Sequence, residues 1–285
     1  MNLGLAFLAM FAVGPLLWML SVSLMSPGEA SSFPPPLLPK HPTLENYIKL
    51  FEYSSMGGNF LNSLFVASAA TLLSLTFNVS AGYAFAKLEF KGRHLMFRWL
   101  LNALVIPAQV SMIPLFLMLK GMGLVNTWIG VLIPFVASIF GIFLVRQYAL
   151  SIPTELIESA RIEGASEIRI FRSVVLPLLT PILITLGLFT FLAAWNDFLW
   201  PLIVLTDSDK YTLPIALASL SREHVQDVEL MMAGAVVTIT PVLVLFLALQ
   251  RYYMSGTLAG SVKGCDVLGG SHPVCLPEWY PYQWP

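Results

Sequence analysis

Charge is what this chain has least of. It holds 15 Lys and Arg against 16 Asp and Glu in 285 residues, 11% charged, where a soluble domain carries about a quarter. The deficit collects in long charge-free runs. With 57% apolar residues, those runs mark a polytopic, all-α membrane protein. The formal net charge of −1 offers little to a polyanion, so no nucleic-acid partner is expected. Cysteine is almost missing: Cys265 and Cys275 are the two, both near the end. The four histidines, His41, His94, His224 and His272, all lie outside the apolar runs. There is no zinc-type His/Cys spacing, no nucleophile elbow or nucleophile–base pair, and no Gly-rich phosphate loop. The expectation is a chain without catalytic residues, metal or cofactor of its own. If ATP drives it, ATP is bound and hydrolysed by another chain.

What is present is six apolar stretches, each of a length to span or nearly span a bilayer. They lie near residues 3–25, 60–85, 99–119, 128–145, 174–194 and 231–249. The first lacks the basic n-region of a signal peptide and exceeds a usual signal core. The 60–85 stretch is rich in small residues, among them Ser63, Ala70, Ser74, Ala81 and Gly82. Such residues let helices approach closely in lipid, which predicts a central helix. The 99–119 stretch carries Asn102, Gln109, Pro107 and Pro114. Its prolines break the hydrogen-bond ladder. Asn102 and Gln109 either line a pathway or bond neighbouring helices, and both readings are open.

One charged island interrupts the apolar pattern, Ser151 to Pro181. It reads as two short helices broken at a glycine. Pro153 suits a first helical position, and Glu155 and Glu158 suit the first turns. Gly164 is a natural stop, because it enters the left-handed region cheaply. Ser166 can cap the second helix, with Glu167 in its first turn. Within the island, Glu158-Ser159-Ala160 is followed by three residues, Gly164, nine residues, and Val174-Val175-Leu176-Pro177.

That spacing resembles the Glu-Ala-Ala loop of ABC importer permeases, with Ser159 and Val174 as small departures. Three other segments resemble sugar-uptake members of that family. One is Asn46, Tyr47, Leu50 and Phe51. The second is Trp195-Asn196-Asp197-Phe198-Leu199-Trp200-Pro201-Leu202, similar to a segment of maltose-type permeases. The third, Gln250 to Gly264, is similar to their C-terminal signature. The resemblance, to the smaller, MalG-like member of a permease pair, covers Asn46 to Gly264.

What the resemblance implies is a type I ABC importer permease fold over residues 1–264, with six transmembrane helices. Its coupling loop, 151–177, docks into a groove of a separate ATPase through Glu158, Ser159, Ala160, Gly164, Leu176 and Pro177. Partners would be a dimer of ABC ATPase subunits, which bind ATP-Mg, a second homologous permease, an extracytoplasmic sugar-binding protein, and the lipid bilayer. The location would be a bacterial inner membrane. Trp195, Asn196 and Asp197 join Asn102 and Gln109 as substrate-path candidates, since rings stack on pyranose faces and amides fix hydroxyls. The competing reading of 195–202 is an aromatic belt at the interface.

With the loop placed in the cytoplasm, ten basic residues fall inside (Lys87, Lys91, Arg93, Arg98, Arg146, Arg161, Arg169, Arg172, Arg251, Lys263) and five outside (Lys40, Lys49, Lys120, Lys210, Arg222). The positive-inside rule favours that orientation, with both termini cytoplasmic. An ion-gradient-driven secondary transporter is the alternative. It lacks a mid-span carboxylate or basic relay and a visible inverted repeat. The tail, 265–285, is rich in Pro, Gly and aromatics and has no helical period. It is expected to be disordered.

Overall fold

The computed structural model describes residues 2–53, 55–223 and 227–259. The described chain is helical, without a strand. α1 is Asn2–Ser23, α2 Glu45–Tyr53 and α3 Met56–Lys87. α4 is Arg93–Ala103, α5 Ala108–Gly121, α6 Trp128–Val136 and α7 Ile139–Leu150. α8 is Thr154–Ile162. α9, Glu167–Ile170, continues through a π-turn, Phe171–Val175, into α10, Leu176–Leu178. α11 is Thr180–Asn196, α12 Leu199–Val204, α13 Leu213–Glu223 and α14 Val228–Ala259.

Three helices are long and apolar enough to cross a membrane unbroken: α3, the α6–α7 unit Trp128–Leu150, and Val228–Ala248 of α14. Two more candidates are bent pairs. α4 and α5 meet at 103°, and Glu167–Leu178 meets α11 at 78°. α1 supplies a shorter apolar helix, Met10–Ser23. The 99–119 stretch, read from sequence as one span, is thus two helices at nearly a right angle. Pro107 lacks an N–H and disfavours helical backbone at Ile106. The amides of Leu104, Val105 and Ile106 turn instead to the carbonyls three residues back. Pro114, also expected to break the ladder, stays inside α5.

α3 is the central helix, as its small residues predict. It packs against α7, α11 and α6. Cβ atoms built on Gly82 and Gly141 would lie 2.7 Å from Val145 and 2.8 Å from the Asn78 side chain. Glycine at these two sites therefore sets the α3–α7 distance. Two apolar clusters are threaded on α3. One holds Leu50, Met56, Val66, Leu119, Trp195, Trp200 and Leu213. The other holds Val79, Tyr83, Val145, Ile157, Ile170, Val175 and Leu179.

Between them along α3 lies a buried polar joint. Asn78 Nδ2 donates to Ser74 Oγ at 2.6 Å, and Ser74 Oγ is 3.3 Å from Thr190 Oγ1. Asn78 Oδ1 accepts from the Ser138 amide at 2.9 Å. Ser138 in turn caps α7 through the Gly141 amide. The α6–α7 unit breaks at Ala137–Ser138, and Asn78 satisfies an amide which that break frees.

Candidate functional site

The 151–177 segment is built around one left-handed glycine. α8 ends where Gly164 takes φ +83°. The Ala165 amide donates to the Ala160 carbonyl at 3.0 Å, and the Gly164 amide to the Arg161 carbonyl at 2.9 Å. That pair of bonds is a Schellman stop. It gives the Ala160–Gly164 spacing a physical meaning, because Ala160 is the residue whose carbonyl the turn captures. Ala160 and Ala165 both pack on the second apolar cluster. Ser166 Oγ then accepts from the Arg169 amide and starts α9. Arg161 donates to Glu167 through Nε at 2.6 Å and Nη2 at 3.1 Å, tying the two helices across the turn. That guanidinium holds the Glu167 carboxyl below its ordinary value. Pro153 sits at the cap, one residue ahead of the position read from sequence, and α8 begins at Thr154.

The segment has a seated face and a presented face. Ile157 and Ile170 are buried. Lys87, the last residue of α3, donates through Nζ to the Ile152 carbonyl at 2.6 Å and the Thr154 hydroxyl at 3.3 Å. Glu158, Ser159, Gly164 and Pro177 are exposed, while Ala160 and Leu176 are half-buried. Beside Glu158, Ile162 is 88% exposed and Ile168 67%. Both isoleucines are thus held outward among charged neighbours, Glu163 and Glu167. Sequence reasoning gave no site role to Lys87, Ile162, Ile168 or the Arg161–Glu167 pair. The alternation of Ile with charge in Arg161 to Arg169 was the available signal.

The pathway candidates are not brought together in the same manner. Trp195 is 1% exposed, and its indole N–H donates to the Thr238 carbonyl at 3.0 Å. Its ring stacks on Phe191 at 5.7 Å and meets Phe60 edge-on at 5.8 Å. No ring face is left for a sugar. Trp200 is likewise buried and donates to the Gly130 carbonyl at 3.1 Å. Both indoles behave as core residues whose polar handle has found a partner. Asn196 is exposed and bonds back to the Leu192 carbonyl. Asp197 Oδ1 accepts from the Trp200 amide at 3.4 Å at the start of α12. Asn102 and Gln109 are exposed on either side of the 103° bend. The Asn46 segment is a clamp: Asn46 donates to the Ser23 and Met25 carbonyls, Tyr47 bonds Ser23, and Leu50 is buried.

The family model described as a binding-protein-dependent transport system inner membrane component matches residues 78–256. The chain belongs to that family. This permease is 39% identical over 271 residues to the arabinooligosaccharides transport system permease protein AraQ of Halalkalibacterium halodurans, covering 93% of this chain and 96% of that one. It is 34% identical to the diacetylchitobiose uptake system permease protein NgcG of Streptomyces coelicolor, over 90% and 84% of the two chains. Among solved structures, a chain of a bacterial ABC transporter importing the acidic polysaccharide alginate matches with TM-score 0.80 and 25% identity, over 88% of this chain and 94% of that one. The permease thus has the ABC importer permease fold. Cys265, Cys275, His272 and the tail expected to be disordered, 265–285, lie outside the described residues, as does the end of the Gln250–Gly264 signature.

Proposed function

We propose that this chain is the transmembrane permease subunit of an ATP-driven, binding-protein-dependent sugar importer, and that α8 is its coupling helix. The presented face of the 151–177 segment carries the proposal: Glu158 and Ile162 of α8 and Ile168 of α9 are exposed on two helices seated by Lys87, Ile157, Ile170 and the Schellman stop. A groove on a separate ATPase would cover the isoleucines and offer a base to Glu158. Two such ATPase subunits bind ATP-Mg and close. The motion passes through α8 into α9, α10 and α11, and from Lys87 and Ile152 into α3 and α7. Ser159, Gly164, Leu176 and Pro177 complete the contact or set its shape.

Six spans are the reading that fits best. α1, α3, α6–α7 and α14 cross as single units, and α5 and α11, the longer arms of the two bent pairs, supply the others. The charge asymmetry favours the 151–177 loop and both termini in the cytoplasm of a bacterium, with the permease in its inner membrane. A second permease of similar fold covers the outward apolar surface of this one. A soluble sugar-binding protein docks on the opposite face, a reading supported by relatives whose names specify oligosaccharide uptake. A solved relative of the same fold was captured with an alginate-bound periplasmic protein. With Trp195 in the core, Asn196, Asp197, Asn102 and Gln109 are left as pathway candidates.

The test is sugar uptake by the complete transporter in proteoliposomes containing ATP, with and without an ionophore. ATP-dependent uptake that ignores the ionophore supports the proposal. Uptake that persists without ATP and collapses with the ionophore overturns it in favour of an ion-driven carrier.

A further inference from the structure

α4 carries three distinct faces. At 100° per residue, Phe97, Leu100 and Leu101 share one side, and Phe97 is buried. Its ring lies 5.5 Å from Phe85 and 4.1 Å beneath the Arg146 guanidinium, so this side is docked on α3 and α7. His94, Arg98 and Asn102 fall on a second stripe, four residues apart, and all three are exposed. Leu95, Trp99 and Ala103 form a third stripe beside it, with Trp99 68% and Leu95 58% exposed. A spanning helix has no use for an exposed polar stripe along its length. A helix lying in the plane of an interface does, with one side on protein, one in water and one in acyl chains.

The neighbouring geometry agrees. α5 departs from α4 at 103°, so if α5 crosses the bilayer, α4 lies nearly parallel to its surface. The turn into α4 adds Lys91 and Arg93 to His94 and Arg98. Lys91 and Arg98 have no ion-pair or hydrogen-bond partner for their side chains among the described residues, and Arg93 donates to the Leu88 carbonyl. A shallow, open cavity of about 380 Å³ lies here, lined by Glu89, Phe90, Gly92, Arg93, His94 and Leu95.

We propose that α4 is an in-plane interfacial helix and that Lys91 and Arg98 hold the headgroups of anionic phospholipids at the inner leaflet. The occupant is a lipid surface because unpaired cations sit directly beside exposed Leu95, Met96 and Trp99. That arrangement complements a headgroup phosphate above acyl chains. The inference rests on the reading that the 151–177 loop is cytoplasmic. It reassigns Asn102 from the substrate path to the watered stripe of α4. It also gives the lipid a route to the ATPase contact. Arg146, whose Nε donates to the Phe85 carbonyl, joins α4 to α7, and α7 leads into α8.

The experiment uses the complete transporter in nanodiscs of phosphatidylcholine with graded phosphatidylglycerol, with Cys265 and Cys275 replaced by Ser. Single spin labels at positions 95, 99 and 103 report depth. An in-plane helix gives one depth for all three. A helix continuing into the bilayer grades them by about 12 Å, and that result overturns the proposal. A fluorophore at position 95 then reads the preference for phosphatidylglycerol over phosphatidylcholine. Removing both charges with Lys91→Gln and Arg98→Gln is expected to weaken that preference about 30-fold, or about 5-fold for each. A preference unchanged in the double variant overturns the headgroup site. Labels shielded from lipid-borne quenchers overturn it too, because another subunit then covers the face. A cysteine at position 91 that reacts with an impermeant maleimide added outside intact cells would instead overturn the topology on which the proposal stands.

Discussion

Two of the segments that resemble ABC importer permeases, 151–177 and 195–202, end in opposite surroundings. The aromatic segment is absorbed into the core: Trp195 and Trp200 are buried and both indole N–H groups are spent on backbone carbonyls. The loop after it is stapled by side chains. Asn126, itself left-handed at φ 61°, bonds Asp207 and the Thr206 and Asp207 amides, and Asn62 holds the Asp209 and Tyr211 carbonyls. The charged segment is fixed just as firmly at its root, by Lys87, Ile157 and the Gly164 turn, yet it presents Ile162 and Ile168 to solvent. Rigidity in the first serves the fold. In the second it holds an exposed surface in place. A motif shared with a family therefore does not by itself say whether its residues touch a substrate.

The largest expected effect separates the two most clearly. Trp200→Ala should lower the unfolding free energy by about 3 kcal/mol or more, through a core cavity and an orphaned Gly130 carbonyl. Thermal unfolding in mild detergent reads this. Ile162→Asp should change the same unfolding free energy by no more than about 0.5 kcal/mol while abolishing ATPase coupling. Gly141→Val comes next. Its Cβ would meet the Asn78 amide at 2.8 Å, so overpacking of about 1–3 kcal/mol is expected, together with loss of the Ser138 cap. Gly164→Ala is smaller still. Nothing lies within 4 Å of a Cβ there, so the cost is the left-handed backbone alone, about 1–2 kcal/mol. It should appear as weaker coupling at near-normal expression.

The smallest effect concerns pH. Glu167 is held below its ordinary value by Arg161. The pair's support of the turn is full above the unfolded-state value and fades as pH falls through the lowered folded value. Glu167→Gln should reproduce the acid behaviour at neutral pH, seen as faster proteolysis within 151–177. An unchanged cleavage rate would mean the ion pair is ornamental, as many exposed pairs are.

Much of the 151–177 segment was legible because its determinants are local. Gly164 stops a helix, Ser166 caps one, and small residues put α3 at the centre. The rest depends on partners that sequence spacing does not reveal. Pro107 and Pro114 look alike in the chain. Pro107 breaks it because three successive amides find carbonyls three residues back, whereas Pro114 leaves only the Val110 carbonyl without its usual partner and stays helical. The break at Ala137–Ser138 needed Asn78, sixty residues earlier, to satisfy it. Trp195 could be read as a sugar platform or as core, and only the Thr238 carbonyl and the Phe60 and Phe191 rings decide.

The most direct test of the account is co-purification of the ATPase with tagged permease from its native membrane. Wild type is compared with Glu158→Lys, Ile162→Asp and Trp195→Phe, all checked for equal folding. The account predicts that the ATPase accompanies the wild type and Trp195→Phe and is lost from both loop variants. Full recovery of the ATPase with Glu158→Lys and Ile162→Asp would contradict it, since the presented face of α8 would then not be the docking surface.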